Sequence, residues 1–524
     1  MSDDTLVMTD SGPVRGSVTH TEATGTIRSW KGVRYAAAPV GDLRWRAPQP
    51  PTPWTEPADA TRYGAAAPQP TLPFFDLGDG VTLDEDCLFL NIWAAGTGPD
   101  TGAKRPVMVW VHGGAYVLGS ASQPMYDGTS LAASGEVVVV TVNYRLGALG
   151  FLDLTSFDPN PFDTADHRFE SNLALRDVIA ALRWVRDNIA AFGGDPNQVT
   201  LFGESAGGGM VTTLMTVPAA EGLFHRAIAQ SSPATSVYDS ARARGIAEKF
   251  LDAIGVSPDA VTDLLTIPAD RIAEVGNALF DATPKSSPGT LAFAPVVDRD
   301  LVPDYPVSAF RDHRAHPVPL MIGTNKDEAA LFRLMRSPLI PITPDSIRSM
   351  FAQIARERPD LPLPTEEVVL EAYADVREKG RGEAVARDIG FRMPTVWLAD
   401  GHSQIAPVFL YRFDWATTIL RLFRIGATHA TELPYVFGTL TSGWKDITFK
   451  LGGRATGEAV SRRMQHRWIA FAASGTPDGL AGDPAWPPYG DDRATLVIDR
   501  TDDVVVDLDK AIRSAWGDEV LSFT

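Results

Sequence analysis

From about residue 105 onward, short apolar runs alternate with stretches of helical period, and this alternation restricts the fold more than any other feature. The runs occupy residues 107–111, 137–142, 199–202, 227–230, 319–322, 408–413 and 495–498. Several are apolar on both faces, which suits a strand only when layers cover both sides of its sheet. Between them, Leu175, Val178, Ile179, Leu182, Val185 and Ile189 fall on one helical stripe. A second helix is predicted from about Glu458 to Ala473, stopped by Gly475 with Pro477 beyond. The expected architecture is α/β, a central, mostly parallel sheet flanked by helices.

Residues 7–9 and 14–17 flank Asp10-Ser11-Gly12-Pro13 and predict an amino-terminal β-hairpin. Residues 47–80, rich in Pro, Gly and Ala, read as surface loops. Residues 233–300 and 330–400 read as helical or irregular insertions over the active-site end of the sheet. The chain has 524 residues, long for one domain. No linker or repeat divides it, so residues 1–524 are expected to form a single domain with those insertions.

Apolar residues make up 44% and charged residues 21%, a balance that supports an ample core and argues against disorder. The net charge of −18 repels polyanions, and no Lys/Arg run offsets it. Nucleic-acid binding is therefore excluded from the expected functions, and an anionic membrane surface is disfavoured. Cys87 is the only cysteine, so neither an internal disulfide nor a cysteine-built zinc site can form. Met1-Ser2-Asp3-Asp4 is not a basic leader, no apolar h-region follows it, and no apolar run approaches a membrane span. A cytoplasmic protein is expected.

Gly203-Glu204-Ser205-Ala206-Gly207 follows the run 199–202 directly and precedes a stretch that can begin a helix. A G-x-S-x-G between strand and helix places its serine on a strained turn and makes Ser205 the candidate nucleophile. A serine hydroxyl needs a base to remove its proton. If the base follows the acid in chain order, His402, His429 and His466 remain. His466 sits among Arg462, Arg463 and Arg467 in a predicted helix, and His402 precedes the run 408–413. His429 follows that run in the loop Gly426-Ala427-Thr428-His429-Ala430, where catalytic groups are commonly carried, and is the candidate base. The acid is Asp327 or Glu328, and spacing does not separate them. His112-Gly113-Gly114-Ala115-Tyr116 follows the run 107–111 and supplies backbone amides for an oxyanion, with the amide of Ala206 aimed at the same place.

Asp158, Asp163 and Asp166 lack EF-hand spacing and read as a polar loop. Leu72-Pro73-Phe74-Phe75 reads as packing. No zinc-protease, Walker A or dinucleotide motif is present, so neither a metal nor an organic cofactor is expected.

Taken together, Phe202-Gly203-Glu204-Ser205-Ala206-Gly207-Gly208, Glu85-Asp86-Cys87-Leu88-Phe89-Leu90-Asn91 and Asn188-Ile189-Ala190-Ala191-Phe192-Gly193-Gly194-Asp195-Pro196 resemble the signatures of the type-B carboxylesterase/lipase family. That family includes bacterial para-nitrobenzyl esterases and animal cholinesterases. The resemblance spans about residues 14–489. It implies an α/β-hydrolase fold, a Ser-Glu-His triad and hydrolysis of small-molecule carboxylic esters through an acyl-enzyme. By implication the acid becomes Glu328, the base His429, and the hole donors Gly114, Ala115 and Ala206. Gly113, Glu204 and Glu432 would support the site from behind, and Arg44–Glu85 and Arg145–Asp177 would be structural ion pairs. Cys87 matches a family disulfide cysteine whose partner is missing. No tryptophan occurs in residues 65–86, which argues against choline esters. The same triad would serve an amidase, carbamate hydrolase or thioesterase. A non-catalytic binding homologue is disfavoured because Ser205, Glu328 and His429 are all present. The expected assembly is a monomer or homodimer.

Overall fold

A computed structural model describes residues 4–72, 75–96, 104–159, 168–440 and 447–524. The strands used below are β1 (Leu6–Thr9), β2 (Gly12–Arg15), β3 (Ser17–Thr21), β4 (Gly25–Arg34), β5 (Phe89–Ala95), β6 (Arg105–Val111) and β7 (Val138–Val142). They continue with β8 (Gly194–Glu204), β9 (Arg226–Gln230), β10 (Leu320–Asn325), β11 (Val408–Phe413), β12 (Ala494–Ile498) and β13 (Asp503–Val506).

Strands β3 to β13 form one 11-stranded sheet in the order β13-β12-β11-β10-β9-β8-β6-β7-β5-β4-β3. The six pairings from β7 through β6, β8, β9, β10 and β11 to β12 are parallel. The outer pairings, β3–β4, β4–β5, β5–β7 and β12–β13, are antiparallel. All seven apolar runs are strands of this sheet. Strands β4 and β5 escaped the sequence reading: Arg28, Ser29 and Lys31 break up β4, whereas β5 is apolar except for Asn91 and was a findable run. Strands β1 and β2 form the expected hairpin, with Thr9 facing Gly12 across the turn.

Strand β6 illustrates why the sheet is covered twice. Val107, Val109 and Val111 join one buried cluster with Leu175, Val178 and Leu182. Met108 and Trp110 join another with Phe202, Ile228 and Trp468. Alternate side chains of one strand thus enter two separate cores, as strand geometry requires. Helix α1 (Leu173–Asn188) covers the first face, and the long carboxy-terminal helix of residues 454–474 covers the second. That helix ends at Gly475 in a left-handed conformation (φ +83°), as its stop signal predicts.

Helix α2 (Ala206–Leu214) follows β8. Residues 233–300 contain α3 (Ser240–Ile254) and α4 (Ala269–Ser286). Residues 330–400 contain α5 (Ala330–Met335), α6 (Pro344–Glu357), α7 (Glu378–Arg387) and most of α8 (Met393–His402). The loops at 47–80 are not wholly superficial, since Ala60, Ala66, Ala67 and Gln69 are buried. Gln69 exchanges two hydrogen bonds with the backbone of Gly119, at 2.8 and 2.9 Å, and so braces the loop after β6. Pro73, Phe74, Asp163 and Asp166 lie outside the described residues, whereas Asp158 accepts from the amides of Arg168 and Phe169.

Candidate active site

Ser205 is the one residue between β8 and α2, at φ 54°, ψ −124°. L-residues avoid this conformation at a cost of about 1–3 kcal/mol, so the surroundings must hold it. Its amide donates to the carbonyl of Gln230 on β9 at 2.9 Å, and its carbonyl accepts from Gly209 in α2 at 2.8 Å. The flanking glycines permit the approach. A Cβ on Gly203 would lie 2.6 Å from the carbonyl carbon of Gly207, and one on Gly207 would lie 2.1 Å from the carbonyl oxygen of Val111.

His429 follows β11 and places Nε2 2.8 Å from Ser205 Oγ. Its Nδ1 lies 2.7 Å from Oε2 of Glu328, which follows β10 and is fully buried. The other carboxylate oxygen of Glu328 accepts from Ser231 Oγ at 2.5 Å and from the Asn325 amide at 2.7 Å. With Oε1 occupied, Oε2 is left to accept the Nδ1 proton, which turns the Nε2 lone pair toward the serine.

The neighbouring acid does something else. Asp327 exchanges backbone hydrogen bonds with the histidine loop, its amide donating to Ala427 at 2.9 Å and its carboxylate accepting from the Ala427 amide at 3.1 Å. His402 is buried on α8 with Nε2 2.8 Å from the carbonyl oxygen of Val318, and His466 is half-buried on the carboxy-terminal helix. Neither meets the serine.

The loop after β6 faces the same serine. Gly114 (φ +117°), Ala115 (φ +52°) and Tyr116 (φ +66°) take left-handed conformations in succession. At Gly114 only glycine fits, because a Cβ would lie 2.1 Å from the carbonyl oxygen of Leu118. At Gly113 a Cβ would come within 3.1 Å of Ser205 Cβ, so this glycine lets the loop close on the elbow. Among the described residues, the amides of Gly114, Ala115 and Ala206 have no protein acceptor. His112 is buried and stacked on Tyr144 at 4.4 Å, and burial pulls its pKa down to about 4, keeping it neutral.

Two further carboxylates are buried here. Glu432 accepts from Gln230 Nε2 at 2.9 Å and from Asn325 Nδ2 at 2.5 Å. Glu204 Oε1 lies 3.3 Å from His429 Nε2 and makes no hydrogen bond. Burial, opposed by His429 and reinforced by Glu432 and Glu328, pushes the Glu204 pKa up to about 8. For His429, burial works against the charged ring, but Glu204 and Glu328 outweigh it and, with Glu432, raise its pKa to about 9. The Glu204 carboxylate therefore favours the charged form of the ring, while burial and the neighbouring carboxylates oppose its own ionisation.

The serine opens into an apolar pocket of about 840 Å³ including its mouth. Phe332, Leu339, Met350, Ile354, Ile389 and Phe391 come from the insertion at 330–400, and Gly289 and Leu291 from that at 233–300. Phe391 and Phe332 approach the His429 ring at 4.7 and 5.2 Å. Leu521 and Phe523 of the carboxy-terminal segment complete the wall. Sequence reasoning missed this segment, as it missed Ser231, although a serine at the end of a buried run was a findable signal. Among the described residues, no group of three His, Cys, Asp or Glu side chains could hold a metal ion, and no helix is long and apolar enough to cross a membrane.

Both expected ion pairs exist. Arg44 binds Glu85 through two hydrogen bonds at 2.7 and 2.5 Å, and the buried Arg145 binds Asp177 at 2.8 and 2.7 Å. Cys87 is a free, buried thiol whose pKa burial pushes well up.

A model of the Carboxylesterase family matches residues 3–513. The para-nitrobenzyl esterase of Bacillus subtilis (strain 168) is 38% identical over 498 residues, 94% of each chain. The phenmedipham hydrolase of Pseudarthrobacter oxydans is 33% identical over 489 residues, 90% of this chain and 91% of that one. The crystal structure of the Geobacillus stearothermophilus carboxylesterase EST55 superposes with a TM-score of 0.81 at 35% identity, covering 98% of this chain and 100% of that one.

Proposed function

The chain belongs to the carboxylesterase family, has the α/β-hydrolase fold and is a carboxylic-ester hydrolase, and we propose that it works through an acyl-enzyme formed on Ser205. His429, oriented by Glu328, takes the serine proton as Oγ attacks the ester carbonyl. The amides of Gly114, Ala115 and Ala206 receive the oxyanion, each donor contributing about 3–4 kcal/mol to the transition state. His429 then protonates the departing alcohol. Water, deprotonated by the same ring, attacks the acyl-enzyme and frees the acid and Ser205. Phe332 and Phe391 beside the imidazole limit water at the reacting centre.

The observation that carries this reading is the unbroken series from Ser205 Oγ through His429 to Glu328, at 2.8 and 2.7 Å. Labelling with a fluorophosphonate and the burst of p-nitrophenol from p-nitrophenyl acetate test it. Both should vanish in Ser205→Ala, and labelling that survives the substitution would overturn the assignment. On this reading residues 1–524 form one domain whose insertions build the pocket, and a free, buried Cys87 is in keeping with a cytoplasmic protein.

A further inference from the structure

Among the described residues, eight large apolar side chains are more than half exposed, and six of them belong to three turns in series, the first of which directly follows the pocket residue Phe332. Leu334 (57%) and Met335 (64%) end helix α5, which starts two residues after Glu328. Leu422 (67%) and Phe423 (68%) end helix α9 (Thr418–Leu422), a few residues before His429. Ile447 (61%) and Leu451 (57%) lie in and just after the short turn Ile447–Phe449, which packs against α9.

Two of these turns share one pattern. Arg333-Leu334-Met335-Arg336 and Arg421-Leu422-Phe423-Arg424 are each an apolar pair between arginines, and all eight residues are exposed. Each ends on an arginine in the left-handed conformation, φ 52° at Arg336 and 55° at Arg424. The turns touch, since Arg333 Nη2 donates to the carbonyl of Arg424 at 3.0 Å. Arg333, Phe423 and Arg424 also border a cleft with Arg377 and Lys379. The facing acids are Asp327 and Glu383 in that cleft, with Glu383 2.6 Å from Arg333, and Asp499, 3.4 Å from Arg421. Exposed pairs of this kind hold weakly and can exchange partners.

We propose that this face docks the enzyme on an anionic lipid surface, with the mouth of its ester-binding pocket turned toward the lipid. The apolar pairs enter the headgroup region while the arginines remain at phosphate level, as long cationic side chains do at interfaces. The net charge of −18 does not forbid this, because at physiological salt charge acts over about 8 Å and the local balance here is basic. Charge also argues against a second copy as the occupant. A two-fold pairing of the face would set arginines against arginines. The neighbouring Phe332 lines the pocket 5.2 Å from the catalytic ring, so esters dissolved in the lipid would arrive beside the serine.

Co-sedimentation of the full chain with vesicles tests the docking and is read separately from hydrolysis. Vesicles of equimolar phosphatidylglycerol and phosphatidylcholine should retain on the order of tenfold more protein than phosphatidylcholine alone, and added salt should release it. Leu422→Ser with Phe423→Ser, and separately Arg336→Gln with Arg424→Gln, should each abolish the excess. Turnover of soluble p-nitrophenyl acetate should stay unchanged, which also reports that the variants are folded. Equal retention on both vesicles, or retention unaffected by either variant pair, overturns the proposal. So does dimerisation in solution that the same substitutions abolish without any vesicle binding, because the face then belongs to a second copy. Binding to polyglutamate that matches the vesicles and survives loss of the apolar pair would assign the face to an acidic protein instead.

Discussion

Oε1 of Glu204 lies 3.3 Å from Nε2 of His429, the same nitrogen that meets Ser205 at 2.8 Å. A carboxylate thus shares the proton-accepting edge of the proposed base with the proposed nucleophile. Because residue 204 immediately precedes the serine in the elbow, the strand that strains Ser205 also delivers this acid.

The consequence for pH follows from the sign of the His429 shift. Its pKa is raised, and the base must be neutral, so activity should climb as pH rises through that pKa. Glu204→Gln removes one of the charges that raise it. The acid limb of the kcat/KM profile on a soluble ester should move down by about one pH unit. An unmoved limb would show that Glu204 does not load the base.

Asp327 and Glu328 can be told apart by kinetics. Glu328→Gln removes the acceptor for Nδ1–H and should lower kcat about 10⁴-fold. Asp327→Asn leaves the triad intact and should cost less than about tenfold, appearing chiefly as reduced thermal stability through its bonds to Ala427. Steady-state kinetics and melting curves on both variants decide the matter.

Gly114→Ala adds a Cβ where 2.1 Å separates it from the Leu118 carbonyl, at φ +117°. The loop must shift, and the amides proposed to hold the oxyanion shift with it. We expect kcat to fall about 10²–10³-fold with KM little changed. A rise in KM at constant kcat would place the effect in substrate binding instead.

Arg145→Ala strands the fully buried Asp177 without its cation. Leaving such a charge unpaired should destabilise the fold by about 3–5 kcal/mol, measured by urea denaturation. The partly exposed Arg333–Glu383 pair, broken by Glu383→Gln, should cost less than about 1 kcal/mol.

The apolar wall is expected to set acyl preference. Among p-nitrophenyl esters, short and medium chains should be turned over faster than long ones. Replacing Phe523 by Ala should broaden that range toward longer chains, because its ring closes one side of the pocket. A profile that peaks on long-chain emulsions would contradict the first expectation.

Sequence alone determined whatever short-range pattern encodes. The doubly apolar runs announced the parallel strands, since a strand buried on both faces has no polar side to offer. The glycines around Ser205 announced the elbow, since no larger residue tolerates its backbone contacts. What lay beyond that reach was decided by the tertiary structure. Strand β4, broken by Arg28, Ser29 and Lys31, became part of the sheet only through its partners. Asp327 and Glu328 are adjacent acids of the same chemistry, and resemblance to a family had to choose between them at the sequence level. In the fold, one points to the histidine loop backbone and the other to the ring. Phe523 joined the site from a carboxy-terminal segment whose own sequence carries no local mark of it. The physical reason is range: torsional and packing preferences act over a few residues, whereas the meeting of one hydroxyl, one imidazole and one carboxylate depends on how three distant strand ends are stacked.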